Sequence, residues 1–229
     1  MLDNMATKND AGLVAQEQFE IEVLEQLNRK RFLDKIIFGG GTMLRLCYGL
    51  HRFSVDLDFW IVKKTDAQKL YRDIKNYLGQ IYTVTDAQNK YYTILFEIKS
   101  KNYPRRLKIE IRKEKKDIIS EKAIAYSAYS NTQVLLNTVS LNDMMISKIQ
   151  AFTERKEIRD IFDIEFLYKK GVKLPDDKPA LNQLLSIINK LTKKDYTVKL
   201  GSIVSADQRK YYTQENFKII KLAIKEKLT

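Results

Sequence analysis

The chain has 229 residues, of which 44% are hydrophobic, so it is long enough to bury a core of its own. Its formal net charge of +12 favours polyanionic partners such as RNA, DNA or nucleotides. The single cysteine excludes an internal disulfide, and no run approaches the roughly 18 apolar residues of a membrane span, so we expect a cytoplasmic protein without an export signal.

The first predicted elements lead to a glycine turn. Apolar side chains recur at helical spacing among charged ones in residues 11–33, which predicts one amphipathic helix. Residues 36–38 predict a short strand that stops at three glycines, 39–41. Thr42 is a good N-cap for the helix that follows, and Gly49 is placed to end it. A glycine turn before a helix N-terminus is a cradle for anions.

Residues 55–61 predict a strand with two carboxylates on one face. Asp56 and Asp58 alternate with apolar residues, which places them roughly 7 Å apart. Such a pair repels itself unless a cation or solvent intervenes, and hard oxygen ligands favour Mg²⁺ or Mn²⁺. Together with the glycine cradle, the pair predicts metal-assisted transfer at a nucleotide phosphorus. The alternative is a tight turn followed by the solvated face of an edge strand.

This stretch resembles the first motif of the AbiEii/AbiGii toxin-like branch of the nucleotidyltransferase superfamily. The matching residues are Gly40, Gly41, Thr42, Leu44, Tyr48, Gly49, Arg52, Phe53, Ser54, Asp56, Leu57, Asp58 and Phe59. The resemblance implies that Gly40, Gly41 and Thr42 hold the triphosphate of an NTP and that Asp56 and Asp58 bind metal. We add Arg52 and Ser54 to the nucleotide-binding residues. The resemblance also implies a toxin of a toxin–antitoxin or phage-defence pair, with a cognate antitoxin as partner.

Residues 66–80 predict a second helix, which ends near Gly79. Residues 91–98 and 107–112 alternate in polarity around a charged turn and predict an antiparallel hairpin. Glu110 is the acid on the polar side of the second strand, and we expect it to be the third metal ligand beside Asp56 and Asp58. The resembling family usually carries Asp at this place. The alternative role for Glu110 is that of a cross-strand partner for a neighbouring lysine.

A dense group of basic residues lies around the predicted hairpin. Its members are Lys99, Lys101, Arg105, Arg106, Lys108, Arg112, Lys113, Lys115 and Lys116. This group is the best candidate in the sequence for contacts with a phosphate backbone. A solvated, lysine-rich hairpin tip that blocks aggregation is an equally good interpretation.

Residues 126–140 predict a last strand, and beyond them the pattern is helical. We therefore predict an α+β fold with a nucleotidyltransferase-type small mixed β-sheet flanked by helices, followed by a C-terminal helical bundle. The expected domains are residues 1–140 and 141–229.

A second group of charged residues lies in the first helix of that bundle, which Ser140 is placed to cap. In a continuous helix, residues 148, 152, 155, 159 and 163 would lie within about 80° of one another. Lys148, Arg155 and Arg159 would then face a triphosphate, and Asp160 or Asp163 would orient Arg159 or act on a proton. The alternative is a surface helix with a pair between Arg159 and Asp163.

The same family carries a downstream Lys on a helix and then Arg-x-x-x-Arg-Asp-x-x-Asp, which matches Lys148, Arg155, Arg159, Asp160 and Asp163. The resemblance implies that Lys148 contacts phosphate and that Asp160 or Asp163 belongs to the catalytic apparatus. We therefore predict a metal-dependent enzyme that transfers NMP from an NTP to an acceptor, with tRNA or another RNA as the expected acceptor. The alternative is a catalytically silent nucleic-acid-binding module on the same scaffold. A P-loop kinase is disfavoured because no glycine loop precedes Gly-Lys-Ser/Thr.

Overall fold

The computed structural model describes residues 8–114 and 118–229, which form two compact units. The first unit contains the described part of Met1–Gly49 together with Phe53–Val139. The second contains Leu50–Arg52 and Ser140–Thr229. No helix within the described residues is long and apolar enough to cross a membrane.

The first unit is built on a mixed sheet of seven strands within the described residues. The strands are β1 (Ile36–Gly39), β2 (Asp56–Ile61), β3 (Thr83–Asn89), β4 (Thr93–Lys99), β5 (Leu107–Arg112), β6 (Ser120–Tyr126) and β7 (Gln133–Val139). Their order in the sheet is β3-β4-β5-β2-β1-β7-β6. Strand β1 runs parallel to β7, and β2 runs parallel to β5. The other neighbours are antiparallel, which includes the predicted hairpin of β4 and β5.

The helices of this unit begin and end close to the predicted places. They are α1 (Lys8–Arg29), α2 (Gly40–Tyr48) and α3 (Ala67–Ile81). The pattern over residues 11–33 predicted one helix, but α1 ends at Arg29 and a short 3₁₀ helix follows at Phe32–Asp34. Helix α3 begins after Asp66, whose carboxylate accepts two backbone hydrogen bonds, and it continues two residues past Gly79. Its Tyr71 ring stacks on Phe96 of the sheet, with centroids 5.6 Å apart.

Two strands were not predicted, and both lie at the edges of the sheet. These are β3 at one edge and β6 at the other. An edge strand is covered on fewer sides than a central one, so it does not need a regular row of apolar side chains. Strand β3, for example, reads TVTDAQN and has no fully buried residue.

The predicted class, a mixed sheet with helices followed by a C-terminal set of helices, is confirmed.

The second unit is helical. Its elements are α4 (Leu141–Arg155), α5 (Ile158–Lys169), α6 (Lys178–Ile188), a π-helix (Asp195–Leu200), α7 (Ala206–Glu215) and α8 (Lys218–Leu228). Helix α4 begins after Ser140, whose hydroxyl accepts a hydrogen bond from the Asp143 N–H, so the predicted cap is confirmed. Helices α4, α5 and α6 contribute buried apolar side chains to the core, for example Phe152, Ile161 and Leu184.

The helix that starts at residue 141 is not continuous to residue 163, so the condition for one shared helical face is not met. Helix α4 ends at Arg155, and Lys156 adopts a left-handed conformation with φ of 56°. Helix α5 then starts at Ile158. A break at this place changes the direction of the chain, so residues on the two helices meet through packing and not through a shared helical face.

Candidate functional site

The glycine turn brings the backbone of Gly40 against the carboxylate of Asp58. Helix α2 begins at Gly40, whose φ of 75° lies in the left-handed region that favours glycine. A Cβ added to Gly40 would lie 2.3 Å from Asp58 Oδ2, so a larger residue would displace that carboxylate. Gly41 is buried in the first turn of the same helix. The predicted phosphate cradle and one predicted metal ligand are therefore neighbours.

Thr42 lies inside the first turn of α2, so the prediction that it is the N-cap is wrong. The N-cap is Gly39, and the helix begins three residues earlier than expected because Gly40 adopts the turn conformation. The fully buried Thr42 hydroxyl instead donates a hydrogen bond to the carbonyl oxygen of Asp56, with an O–O distance of 2.5 Å. This bond ties α2 to β2 at the residue that carries the first carboxylate.

Asp56 and Asp58 project from one face of β2, as the alternation predicted, and both are partly exposed. Trp60 shares that face but is buried, and its ring lies over Gly39, where an added Cβ would be only 2.1 Å from a ring carbon. The Arg112 guanidinium lies 5.0 Å from the centre of the Trp60 ring. Trp60 therefore packs on the sheet and leaves the two aspartates at the more open part of this face.

Strand β5 places Glu110 directly beside Asp58 in the parallel ladder with β2. The expected neighbourhood of the two strands is therefore present. The carboxylate of Glu110 also accepts a hydrogen bond from Lys108 Nζ at 2.7 Å. This is the lysine partner that the alternative interpretation proposed, although Lys108 lies on the same strand and not across from it.

Lys108 brings a positive charge among these three carboxylates. Its pKa is raised, first by the hydrogen bond to Glu110 and then by the charges of Glu110, Asp56 and Asp58. In residues 8–114 and 118–229, no three Asp, Glu, His or Cys side chains form a group that could hold a metal ion. The oxygens of Asp56 and Asp58 are donors that suit Mg²⁺, whereas Glu110 must leave Lys108 to join them. The aspartate pair therefore fits a divalent ion, and the role of Glu110 as third ligand stays a prediction.

The predicted basic group does not form one surface. Its members at residues 99–106 lie at the turn between β4 and β5, whereas Arg112 and Lys113 lie at the other end of β5, where Arg112 pairs with Thr93. Lys115 and Lys116 lie outside the described residues. The sequence grouped these residues because they are close along the chain, but a strand of six residues separates the two ends by about 20 Å.

The second predicted group forms a buried charge network within the helical unit. Asp163 is fully buried, and its two oxygens accept hydrogen bonds from Arg52 Nε and Nη2 at 2.6 Å each. Lys148 Nζ lies 2.6 Å from the same carboxylate. Burial raises the pKa of Asp163, but the charges of Arg52 and Lys148 outweigh that effect and leave it below the usual value. In this structure Arg52 and Lys148 are both engaged by Asp163.

Asp160 and one of the two predicted arginines, Arg155, belong to the same charge network. Asp160 is fully buried and accepts two hydrogen bonds from the Arg155 guanidinium, at 2.6 and 2.5 Å. Lys148 Nζ lies 3.5 Å from the same carboxylate. Arg159 is exposed, so the alternative pair between Arg159 and buried Asp163 is not formed. Lys148, Arg155, Asp160 and Asp163 are brought together, and Arg159 is not part of that network. Ser54 is partly exposed in the segment before β2.

One buried carboxylate in α1 was not predicted from the sequence. Glu20 is fully buried, and neither of its oxygens has a hydrogen-bond partner. Its pKa is raised well above the usual value, mainly by burial and also by the charges of Glu17 and Asp56, while Arg45 acts in the opposite direction. Glu17 itself pairs with Arg45 and accepts a hydrogen bond from Ser127. The apolar neighbours of Glu20 in the helical pattern were the only sequence signal for its burial.

Replacing Glu20 with Gln is expected to stabilise the protein at neutral pH, by about 1–3 kcal/mol in the free energy of unfolding. The folded protein binds the Glu20 proton more tightly than the unfolded chain does, so wild-type stability falls as pH rises above the ordinary glutamate pKa of 4.5. The amide has no such proton to lose. Denaturant unfolding at pH 5 and at neutral pH measures the difference, and Glu25→Gln, in an exposed pair with Arg29, is the control.

Comparisons with known proteins identify the family and the fold. Residues 22–222 match the family model described as "Nucleotidyl transferase AbiEii toxin, Type IV TA system". JHP933 from Helicobacter pylori has a similar structure, with a TM-score of 0.57 and 21% sequence identity over 91% of this chain and 93% of that one. A second protein from H. pylori has a TM-score of 0.56 and 20% identity, over 91% of this chain and 96% of its own. These two likenesses show a shared fold. A search of curated proteins found no match.

Proposed function

Because the chain belongs to the AbiEii nucleotidyl transferase toxin family, we propose that it transfers a nucleoside monophosphate from an NTP to an RNA acceptor with the help of Mg²⁺ or Mn²⁺. The observation that carries this proposal is the close approach between the glycine turn and Asp58. Gly40 lies so close to Asp58 that an added Cβ would be 2.3 Å from its carboxylate oxygen. A phosphate held at the turn would therefore lie next to the aspartates.

Each residue of this first site has a defined part in the proposal. The backbone at Gly40 and Gly41 binds phosphate oxygens at the start of α2, where the helix dipole favours negative charge. Thr42 holds the Asp56 backbone in place through its hydrogen bond. Asp56 and Asp58 would hold the divalent ion, with Glu110 as third ligand. When bound, the ion orients the phosphates and neutralises charge that develops on them.

The proposed transfer is a displacement at the α-phosphorus of the NTP. A hydroxyl oxygen of the acceptor forms the new bond to the α-phosphorus of the NTP. The bond from that phosphorus to the oxygen that bridges to the β-phosphate breaks, so pyrophosphate leaves with the bonding electron pair. The hydroxyl proton passes to a basic group or to water.

Lys148, Arg155 and Arg159 remain predicted phosphate contacts, and Asp160 and Asp163 remain predicted members of the catalytic apparatus. The structure supplies a competing role for most of them, because Lys148 and Arg155 are already paired with the two aspartates. Arg159 is exposed. If the role of Asp163 is structural, removing its carboxylate should destabilise the protein. If its role is catalytic, the variant should stay stable and lose nucleotide transfer, so the stability of Asp163 variants separates the two roles.

The acceptor, the partner protein and the compartment complete the proposal. The formal net charge of +12 and the basic residues at both ends of β5 support RNA, such as tRNA, as the acceptor. The family is that of a toxin in a type IV toxin–antitoxin system, which supports a cognate antitoxin. We also propose that the protein acts in the cytoplasm, where NTPs and RNA are both present.

Incubation with each radiolabelled NTP, Mg²⁺ and total RNA tests this function. We expect label in RNA with one or more NTPs, and no label when a chelator removes the divalent ion. Binding of NTP without transfer of label to any acceptor would contradict the proposal. Label in a protein or a small molecule would replace RNA as the acceptor and leave nucleotide transfer in place.

A further inference from the structure

Two adjacent tyrosines at the turn between β3 and β4 are unusually exposed. The relative exposures of Tyr91 and Tyr92 are 84% and 73%. An aromatic side chain ordinarily contributes to stability by burying a large apolar area, so the fold gains little from two exposed rings. The rings meet edge to face, with centroids 4.6 Å apart and an interplanar angle of 84°. This arrangement leaves ring faces open toward solvent.

The turn that carries these rings is fixed to the next strand. The Lys113 N–H donates a hydrogen bond to the Tyr92 carbonyl oxygen at 2.9 Å. Lys113 Nζ donates to the carbonyl oxygen of Lys90, and the Lys90 N–H donates to Thr93 O at 2.9 Å. These bonds hold the backbone on both sides of the tyrosine pair. The rings are therefore presented from a position that is already ordered, which lowers the entropy lost on binding.

The tyrosine pair lines a cavity of about 690 Å³. Glu110 lines the same cavity. In the sheet, Glu110 is the register partner of Asp58. The size lies within the range of about 300–1,000 Å³ that is usual for ligand pockets. A ligand in this cavity can thus contact the tyrosines and Glu110, and Asp58 lies on the neighbouring strand at the register position of Glu110.

Charged side chains complete the lining. Arg112 and Lys113 contribute cations, and Glu114 contributes an acid. Glu110 is paired with Lys108. Open aromatic faces next to Arg and Lys are the combination with which proteins bind single-stranded nucleic acid, since bases stack on the rings and phosphates contact the cations.

We propose that this cavity binds the unpaired end of the RNA acceptor, with successive bases stacked on Tyr91 and Tyr92 and a phosphate contacted by Arg112 or Lys113. The inference rests on the proposed function, because it assigns a binding site to that acceptor. Tyr91 and Tyr92 are positioning residues, since they hold the acceptor while its terminal hydroxyl lies toward the carboxylates.

Two other occupants fit the lining less well. The core of a protein interface is depleted in charged residues, whereas charged side chains make up much of this cavity. The base of the incoming NTP would need one stacking face, but two adjacent rings are available. An RNA end uses both rings and the cations together.

The test measures binding of a 5′-labelled RNA hairpin with a single-stranded 3′ end of about four nucleotides by fluorescence anisotropy. The variant is Tyr91→Ala with Tyr92→Ala, and it should weaken binding by roughly tenfold per lost ring. Tyr91→Phe with Tyr92→Phe keeps the rings and should bind like wild type. The matched control is Tyr126→Ala with Tyr129→Ala, which removes two tyrosines that are 54% and 44% exposed elsewhere on the sheet unit. In the variant Tyr91→Ala with Tyr92→Ala, the KM for the NTP should stay at the wild-type value.

Several outcomes would overturn the site. These are wild-type affinity in the double alanine variant, an equal loss in the control variant, or an equal loss for a blunt hairpin without a single-stranded end. A raised KM for the NTP with unchanged RNA affinity would place the base of the NTP in the cavity instead. Failure of the proposed function can be distinguished from failure of this binding site. In that case wild type would transfer no label to RNA, even though the ring variants still change RNA binding.

Discussion

Replacing Asp58 with Asn is expected to slow nucleotide transfer by about a hundredfold or more while the fold stays intact. The change keeps the shape of the side chain beside Gly40 but removes the negative charge that we assign to the divalent ion, and groups that stabilise charge at the reacting centre have effects of this size. Asp58 is partly exposed, so its amide is not left buried without water. Initial rates of label transfer at saturating NTP measure the effect.

Asp86→Asn is a matched control, because Asp86 lies in the edge strand β3 of the same sheet. It should transfer nucleotide at the wild-type rate. A wild-type rate in Asp58→Asn would remove that carboxylate from the site. If neither wild type nor Asp58→Asn transferred nucleotide and both bound RNA equally well, the alternative would hold, namely a nucleic-acid-binding module without catalysis.

Replacing Asp163 with Ala is expected to lower the free energy of unfolding by about 3–5 kcal/mol. The carboxylate is fully buried between Arg52 and Lys148, whose side chains are only 4% and 7% exposed. Its loss leaves two buried cations without their counter-charge, which costs more than the net value of the interaction itself. Denaturant unfolding at neutral pH measures the loss.

The surface pair of Lys69 and Asp73 provides the control for this prediction. Asp73→Ala should change the free energy of unfolding by at most about 0.5 kcal/mol, since the pair is exposed. A stable Asp163→Ala protein that has lost nucleotide transfer would contradict the structural role and support the predicted catalytic one.

The pH dependence gives an independent check on Asp163. Because its folded pKa lies below the unfolded one, its contribution to stability is complete above the usual aspartate pKa. The contribution is lost as pH falls through the lower folded value. Wild type should therefore lose its advantage over Asp163→Ala only in acid, as unfolding curves at decreasing pH will show.

The central part of the candidate site could be predicted because its signals are local. Glycine conformational freedom indicated the turn, and alternation placed Asp56 and Asp58 on one face of a strand. The role of Thr42 could not be predicted in the same way, because its hydroxyl bonds to a carbonyl fourteen residues away. Local capping rules describe only the neighbours of the residue along the chain.

For Glu110, too, the sequence predicted the position in a strand but not the partner of the side chain. Its strand and its polar side followed from alternation, and the parallel neighbour β2 placed it beside Asp58. Whether its carboxylate contacts a metal ion or Lys108 depends on side-chain positions that periodicity does not describe. The exposed rings of Tyr91 and Tyr92 are a further example, because tyrosine in a strand-rich stretch is usually packed.

The sequence by itself determined the strand, glycine turn, helix and strand that present Asp56 and Asp58, since short-range backbone preferences and the two-residue period of a strand suffice for that unit. The tertiary structure alone decided that Asp163 lies between Arg52 and Lys148 and that Glu20 is buried without a hydrogen-bond partner. Arg52 and Asp163 are 111 residues apart, and contacts over such distances depend on how the elements pack.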